Sequence, residues 1–398
     1  MNKKLGLAVA GAVMAFGASA ANAAITIPAG DWTIDIGGNV NAYYTHTKFS
    51  GDLKTAGTED VANTVQTGLL PSALGIGGKT RQNDLDIAFQ FTFFTGVDSG
   101  NGGAAGGNNS LNIRQAYLTF GDKSWGTIKA GRDLGIFGSD AILSDMTLLG
   151  VGIGAGSGGS STLGRIGSGY MYADWVGQIS YISPNWNGFS FAVGVREPWS
   201  NSADASGSAN GSNSDIRNDM GYEGKVSYEW TGDYAGKVWL GAISQKHDVN
   251  TGSVDNYTSR GWDLGGKVNL AGVGLVGYYY DGKGLSGSTA ASLSTAANGL
   301  LFLNGQKSDD KGGYVQATYA LPGVGTKLGL SYGVSKSEAD ATNVKFENKS
   351  WIVGAYHPLT KSLNLVAEYT DNKLENIGYS AGQDGKAKTV SLGAILFF

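Results

Sequence analysis

The sequence predicts an all-β fold: a 16-stranded antiparallel transmembrane β-barrel with tight turns at one end and long loops at the other. Three observations lead there. Segments of about ten residues carry an apolar side chain at every second position, the period of a strand with one greasy and one polar face. Their connections alternate between short and long along the chain. Beyond the N-terminal leader there is no run of eighteen apolar residues, so a bilayer is crossed only by a closed barrel, which satisfies every backbone hydrogen bond internally.

Residues 1–23 read as a signal peptide and 24–398 as the barrel domain. Lys3 and Lys4 precede an apolar run from Leu5 that ends in small residues at Ala21-Asn22-Ala23, the layout of a secretory leader. Without those two lysines the 29 basic residues fall to 27 against 33 acidic ones, which argues against a nucleic-acid partner. Cysteine is absent, so no disulfide framework supports an exported chain. Glycine reaches 65 residues without a three-residue repeat, and 41% of residues are hydrophobic; neither collagen nor disorder fits.

Strands are expected at 31–46, 70–80, 84–95, 111–121, 126–134, 169–183, 187–196 and 220–230. The second half continues at 236–246, 258–270, 273–282, 312–321, 325–335, 348–357, 361–370 and 387–398. The second strand has the weakest pattern, since its span holds Pro71, Gly75, Gly77 and Gly78. In the third, Leu85, Ile87, Phe89, Phe91 and Phe93 oppose Asp86, Ala88, Gln90 and Thr92. Tyr222, Val226, Tyr228 and Trp230 likewise oppose Glu223, Lys225, Ser227 and Glu229, and Trp262, Leu264 and Val268 oppose Asp263 and Lys267. Near the end, Leu363, Leu365, Ala367 and Tyr369 oppose Asn364, Val366, Glu368 and Thr370. A soluble sandwich would alternate too, but connection lengths distinguish the two. RQND (81–84), GDKSW (121–125), SPNW (183–186) and TGDYAG (231–236) are tight, whereas 47–64, 96–110, 135–168, 197–218 and 284–311 are long and polar. That asymmetry, and an even strand count, belong to bacterial outer-membrane barrels with short periplasmic turns and long external loops. Aromatics at strand ends (Trp32, Tyr43, Tyr44, Trp186, Trp230, Tyr278 to Tyr280) suit interfacial girdles. The final strand alternates Val390, Leu392, Ala394 and Leu396 and stops on Phe398.

The connection 135–168 far exceeds the ~4–6 residues usual between neighbouring elements, a length that marks a functional or a disordered segment, and it is expected to decide what the chain does. Its glycine tract spells G-x-G-x-x-G at Gly154, Gly156 and Gly159. A dinucleotide site needs that spacing between a strand and a helix of a βαβ unit; here there is none. His46, His247 and His357 stand apart without metal-ligand spacing. No metal and no cofactor is expected.

Three blocks carry a family resemblance. IRQAYLTFGDKSWGTIKAGRDLGIFG (113–138) resembles the fourth and fifth strands of the proteobacterial general diffusion porins. GQISYISPNWNGFSFAVGV (177–195) is similar to their sixth and seventh strands, and HPLTKSLNLVAEYTDNK (357–373) to the segment before the last strand. The region 50–80 departs from the family pattern. The resemblance implies a porin in the Gram-negative outer membrane, a homotrimer whose third external loop, 135–168, folds into the lumen. It implies passive diffusion of small hydrophilic solutes and ions, contact with outer-membrane lipid and lipopolysaccharide, and Phe398 as a signal to the barrel-assembly machinery. No enzymatic activity is expected.

Selectivity in such a pore comes from charges lining its constriction, whose field is strengthened by low-dielectric walls. Asp140 and Asp145 lie in the loop segment FGSDAILSDMTLLG, where Ile142, Leu143, Met146, Leu148 and Leu149 suit contact with the wall. The opposing basic set is Arg114, Lys129, Arg132, Arg165 and Arg196. Strand parity turns Lys129 and Arg196 inward. Arg132 shares parity with apolar Ile128 and Ala130, and Arg114 with Ala116, Leu118 and Phe120; each reaches the lumen only where its strand bulges or ends. Two alternatives remain: a substrate-specific channel, such as one with a sugar-stacking track of Tyr170, Trp175 and Trp199, and a barrel enzyme using a histidine. A secreted lectin stands further off.

Overall fold

The computed structural model describes residues 25–54, 60–97, 111–154, 161–198, 215–216, 219–249, 256–285, 308–340, 343–377 and 380–398. The leader 1–23, Trp199, Gly156, Gly159, most of the connection 284–311 and the His247 side chain lie outside the described residues.

Sixteen antiparallel strands close into a barrel. The first eight are β1 (Trp32–Gly51), β2 (Ser72–Gln82), β3 (Leu85–Thr95), β4 (Asn112–Asp122), β5 (Gly126–Leu134), β6 (Trp175–Ile182), β7 (Phe189–Arg196) and β8 (Gly221–Trp230). The rest are β9 (Gly236–Val249), β10 (Tyr257–Leu270), β11 (Val273–Lys283), β12 (Ser308–Ala320), β13 (Lys327–Ala339), β14 (Lys345–Pro358), β15 (Leu363–Glu375) and β16 (Gly385–Phe397). Each pairs with its neighbour in sequence, and β16 closes on β1 from Gly385↔Gly51 to Phe397↔Asn39. Closure leaves no open sheet edge in lipid. A short strand, Ile25–Ala29, folds back on the start of β1 and continues the line that β16 leaves at Phe398. No helix of the described residues is long and apolar enough to cross a membrane.

The weak second strand has a physical cause. β2 pairs only with the lower half of β1, from Thr33↔Lys79 to Asn39↔Ala73, while a separate segment, Val61–Gln66, covers the upper half. Pro71 lacks the N–H that a continuous ladder needs, and the chain at 67–71 leaves the sheet. Side chains of β1 catch it there: Asn41 donates to the Leu70 carbonyl at 2.9 Å and accepts from the Gly68 amide at 2.9 Å, and Asn39 donates to the Pro71 carbonyl at 3.2 Å. The sixth strand is likewise shorter than the expected 169–183, because residues 169–174 belong to the preceding loop.

The two faces are sorted inside out relative to a soluble protein. Val40, Phe91, Leu118, Ile179, Leu264, Leu330, Val353 and Leu392 are exposed, whereas Asn39, Thr45, Gln115, Thr119, Glu223, Asp263, Ser331 and Glu368 are buried inside. Outward aromatics form two rims, with Trp125, Trp186 and Tyr234 near the tight turns and Tyr44, Trp262, Tyr279 and Trp351 toward the long loops, as membrane barrels require. Tyr43, Tyr278 and Tyr280 do not join these girdles. They point inward, fully buried against the third long loop.

Candidate pore constriction

That loop, from Gly135 to Asp174, turns into the barrel. Its entry is held by carboxylates of the wall: the Ile136 amide donates to Glu223 Oε2 at 2.6 Å, and the Gly138 amide to Asp263 Oδ2 at 3.1 Å. Gly138 has φ of 75°, a left-handed conformation that favours glycine, and from it starts the six-residue helix α1 (Ser139–Ser144). Phe137, Ala141 and Ile142 pack on Trp239, Tyr278 and Tyr314 of the wall. Apolar burial thus fixes one side of α1 while Tyr314 donates to the Ala141 carbonyl at 2.8 Å.

Asp145 ends α1 in an extended conformation and starts the short 3₁₀ turn Met146–Leu149 by accepting from the Thr147 amide at 2.9 Å. Further on, Glu368 of β15 accepts from the Val151 and Gly152 amides at 2.8 and 2.7 Å, and from the Tyr356 hydroxyl at 2.7 Å. Tyr43 of β1 donates to the Leu149 carbonyl at 2.7 Å. The chain then doubles back with Gly152 against Gly164, so close that a Cβ on Gly152 would lie 2.5 Å from the Gly164 backbone. Gly152 and Gly164 therefore serve close packing, and no βαβ context surrounds them among the described residues.

The predicted charges fall into distinct places. Asp140 is buried and paired with Lys225, at 2.6 Å, and Lys237. Burial alone would raise its carboxyl, but the two ammonium groups hold it below the usual carboxylate range. Asp145 faces the loop itself: Oδ2 accepts from the Arg165 amide at 3.1 Å and the Tyr170 hydroxyl at 2.7 Å. Burial, with Asp145 beside it, pushes the Tyr170 hydroxyl well above its ordinary value. Arg165 is fully buried and donates to Ser331 Oγ at 2.6 Å and Ser350 Oγ at 3.0 Å, pinning the returning chain to β13 and β14. Arg196 pairs with Glu223 beside the loop entry. None of these four forms a free transverse array; each fastens the loop.

On β5, Lys129 points inward, paired with Asp133 and 4.9 Å from the centre of the Tyr117 ring. Gln115 orients Asp133 through a 2.8 Å bond. Arg114 owes its position to a bulge. The register between β3 and β4 shifts at Thr92/Phe93, skipping Arg114, whose guanidinium stacks 5.0 Å from the centre of the buried Phe94 ring. Arg132 pairs with Ala116 in register and is exposed on the outward parity. Lys225, Lys237, Glu223, Asp263 and Glu368 are partners that the loop sequence alone does not point to. Their signal is a charge at an inward position in mid-strand.

A closed sixteen-strand barrel with a polar interior and an inward third loop restricts identity sharply. A family model described as Gram-negative porin matches residues 8–376. The chain belongs to the Gram-negative porin family. Solved structures similar to this porin include the anion-selective porin from Comamonas acidovorans, at 17% identity and TM-score 0.61, covering 92% of this chain and 100% of that one. Another is the outer membrane channel DcaP of Acinetobacter baumannii, at 16% identity and TM-score 0.66, covering 93% and 99%. Salmonella typhi OmpF in complex with daunomycin is similar at 19% identity and TM-score 0.62, covering 94% and 100%. At such identities the likeness shows the fold. No curated protein matches the sequence. This porin is an outer-membrane channel for passive diffusion, and family and fold point to a channel rather than an enzyme.

Proposed function

We propose that this porin is a homotrimer whose loop 135–174 sets the sieve, and that the channel passes small hydrophilic solutes with a preference for anions. One observation carries the preference: in the lumenal lysine pairs the lysine side chain is more exposed than its carboxylate partner. Lys225 is 20% exposed against 7% for Asp140, and Lys129 is 17% exposed against 2% for Asp133. A permeating ion therefore meets positive charge first, in a space where low-dielectric walls strengthen the field. The Asp140 carboxylate serves as a buried counter-charge. Recording in a planar bilayer across a tenfold KCl gradient tests this. The reversal potential has the sign of chloride preference, and a cation-preferring sign would overturn the reading.

Outer-membrane lipid, lipopolysaccharide and the assembly machinery acting at Phe398 complete the set of partners. A sugar track has less support, because Tyr170 and Trp175 are buried in the loop packing rather than presented as a stacking face. The enzyme alternative also lacks support: His46 bonds Asn63 on the outer face and His357 bonds Thr326.

A further inference from the structure

Two ammonium groups close on Asp140: Lys225 of β8 takes one carboxylate oxygen at 2.6 Å, and Lys237 of β9 takes the other. Lys225 also donates to Ser139 Oγ at 3.0 Å. A third lysine beside them has no such partner. Lys267 of β10 stands directly opposite Lys237 in the ladder. It shares the inward parity of buried Asp263 and Gly265, whereas Trp262 and Leu264 point outward. Residues directly opposite one another bring their Cβ atoms to about 5 Å, and like charges placed there destabilise the pair. Asp140 answers the Lys237 charge and has no oxygen left for Lys267, which lies beyond ion-pair range of every carboxylate among the described residues. Glu229, opposite Lys237 on its other flank, is exposed and makes no ion pair among them either. Three lysines against two acids leave one positive charge in excess, and it sits at Lys267.

The wall next to Lys267 is polar and bare. Asn269 follows on the same face and is exposed; it stands opposite Gly274, which in turn stands opposite half-buried Thr318. A Cβ on Gly274 would lie 2.7 Å from Thr318 Oγ1 and 3.1 Å from Asn269 Oδ1, so amide and hydroxyl approach each other over backbone alone. The Thr318 hydroxyl has only the Gly274 carbonyl as acceptor, at 3.5 Å, the outer limit of a hydrogen bond. Its proton is free to turn to a ligand. An ammonium, an amide and a hydroxyl around one gap can donate together to the several oxygens of one phosphate-type anion, a group for which lysine is a natural partner. Chloride uses that set only in part. The place is on the periplasmic side of the constriction, because Lys267 lies between Asp263, which accepts from the Gly138 amide at the loop entry, and the tight turn after Leu270.

We propose that Lys267, flanked by Lys237 and by Asn269 and Thr318, forms a binding step for a phosphate-type dianion just inside the periplasmic mouth, below the constriction. The step rests on the anion preference put forward above and deepens it. The reversal potential in KCl tests that preference without phosphate, so the two readings fail separately. The experiment is single-channel recording of the purified porin in KCl at constant ionic strength, with inorganic phosphate added to one side at a pH where it is a dianion. Chloride current should fall with phosphate and saturate, at a lower concentration from the periplasmic side than from the side of the long loops. A charge-assisted hydrogen bond is worth roughly tenfold or more in affinity, so K267Q should raise the half-blocking concentration about tenfold. K267R keeps the charge and should stay within about threefold of the wild type; it also guards against a misfolded K267Q. K129Q removes the same charge from β5 and should change the half-blocking concentration by about twofold at most, as a screened, more general contribution to the lumenal field. A wild-type chloride current unaffected by phosphate overturns the proposal while leaving the chloride preference standing. Equal block from both sides overturns it as well, and so does an equal loss of block in K267Q and K129Q, which would reduce the effect to the overall charge of the lumen.

Discussion

Asp140 and Asp145 lie five positions apart and serve different purposes, which only the fold separates. Asp140 reaches out of the loop to two wall lysines; Asp145 turns back and binds three donors of its own loop. D140N should release Lys225 and Lys237 into the lumen and move the reversal potential further toward anions. Because the Asp140 carboxyl is held low, the wild-type anchor is present in full above about pH 4 and is lost only as pH falls below the usual carboxylate range. D145N should instead leave the Arg165 amide and the Tyr170 hydroxyl short of an acceptor, at about 1–3 kcal/mol for a buried group. Its expected signature is protease nicking within 161–174 and noisier current at an unchanged reversal potential. Equal shifts in reversal potential for the two variants would refute this division. In the sequence both residues read as lumenal acids, since nothing local reports which donors the opposite wall presents.

At the scale of the element, the strands were readable and the loop's route was not. Alternation in β3, β8 and β15 follows from a two-residue period that one apolar solvent imposes on one face. The break at 67–71 was legible through Pro71, yet the segment Val61–Gln66 that completes the wall was not, because its partner is fixed by the upper half of β1. Arg114 illustrates the same limit: one bulged residue reverses the parity read from Ala116 and Leu118. For the loop, position was legible from length alone, whereas its anchors sit more than 80 residues away at Glu223, Asp263 and Glu368. Glu368 gives the sharpest test. E368A strands the Val151 and Gly152 amides, so the segment 150–154 should leave β15 and single-channel conductance should rise. E368Q should stay near wild type, because the amide oxygen accepts both N–H groups while its NH₂ donates to the Tyr356 hydroxyl. A conductance for E368A equal to that of E368Q would show that the carboxylate does not hold the loop.

The whole molecule depends on which solvent each face meets, and that was written in the sequence most plainly of all. Leu330 is 48% exposed and points outward from β13, while Thr318 on β12, opposite Gly329, is half-buried and points inward. A lysine at the outward site must enter hydrocarbon, at about 2–4 kcal/mol near the midplane. A lysine at the inward site meets water and the lumenal field instead. L330K should therefore lower the yield of heat-resistant folded barrel and the midpoint of urea unfolding in lipid vesicles. T318K should fold as the wild type does and shift only the reversal potential, toward anions. The two substitutions introduce the same charged side chain on adjacent strands, so the added charge is common to both and the facing solvent is the main difference. Equal destabilisation by both would mean that the inner face is not water-filled at this depth, and the channel reading would fail with it.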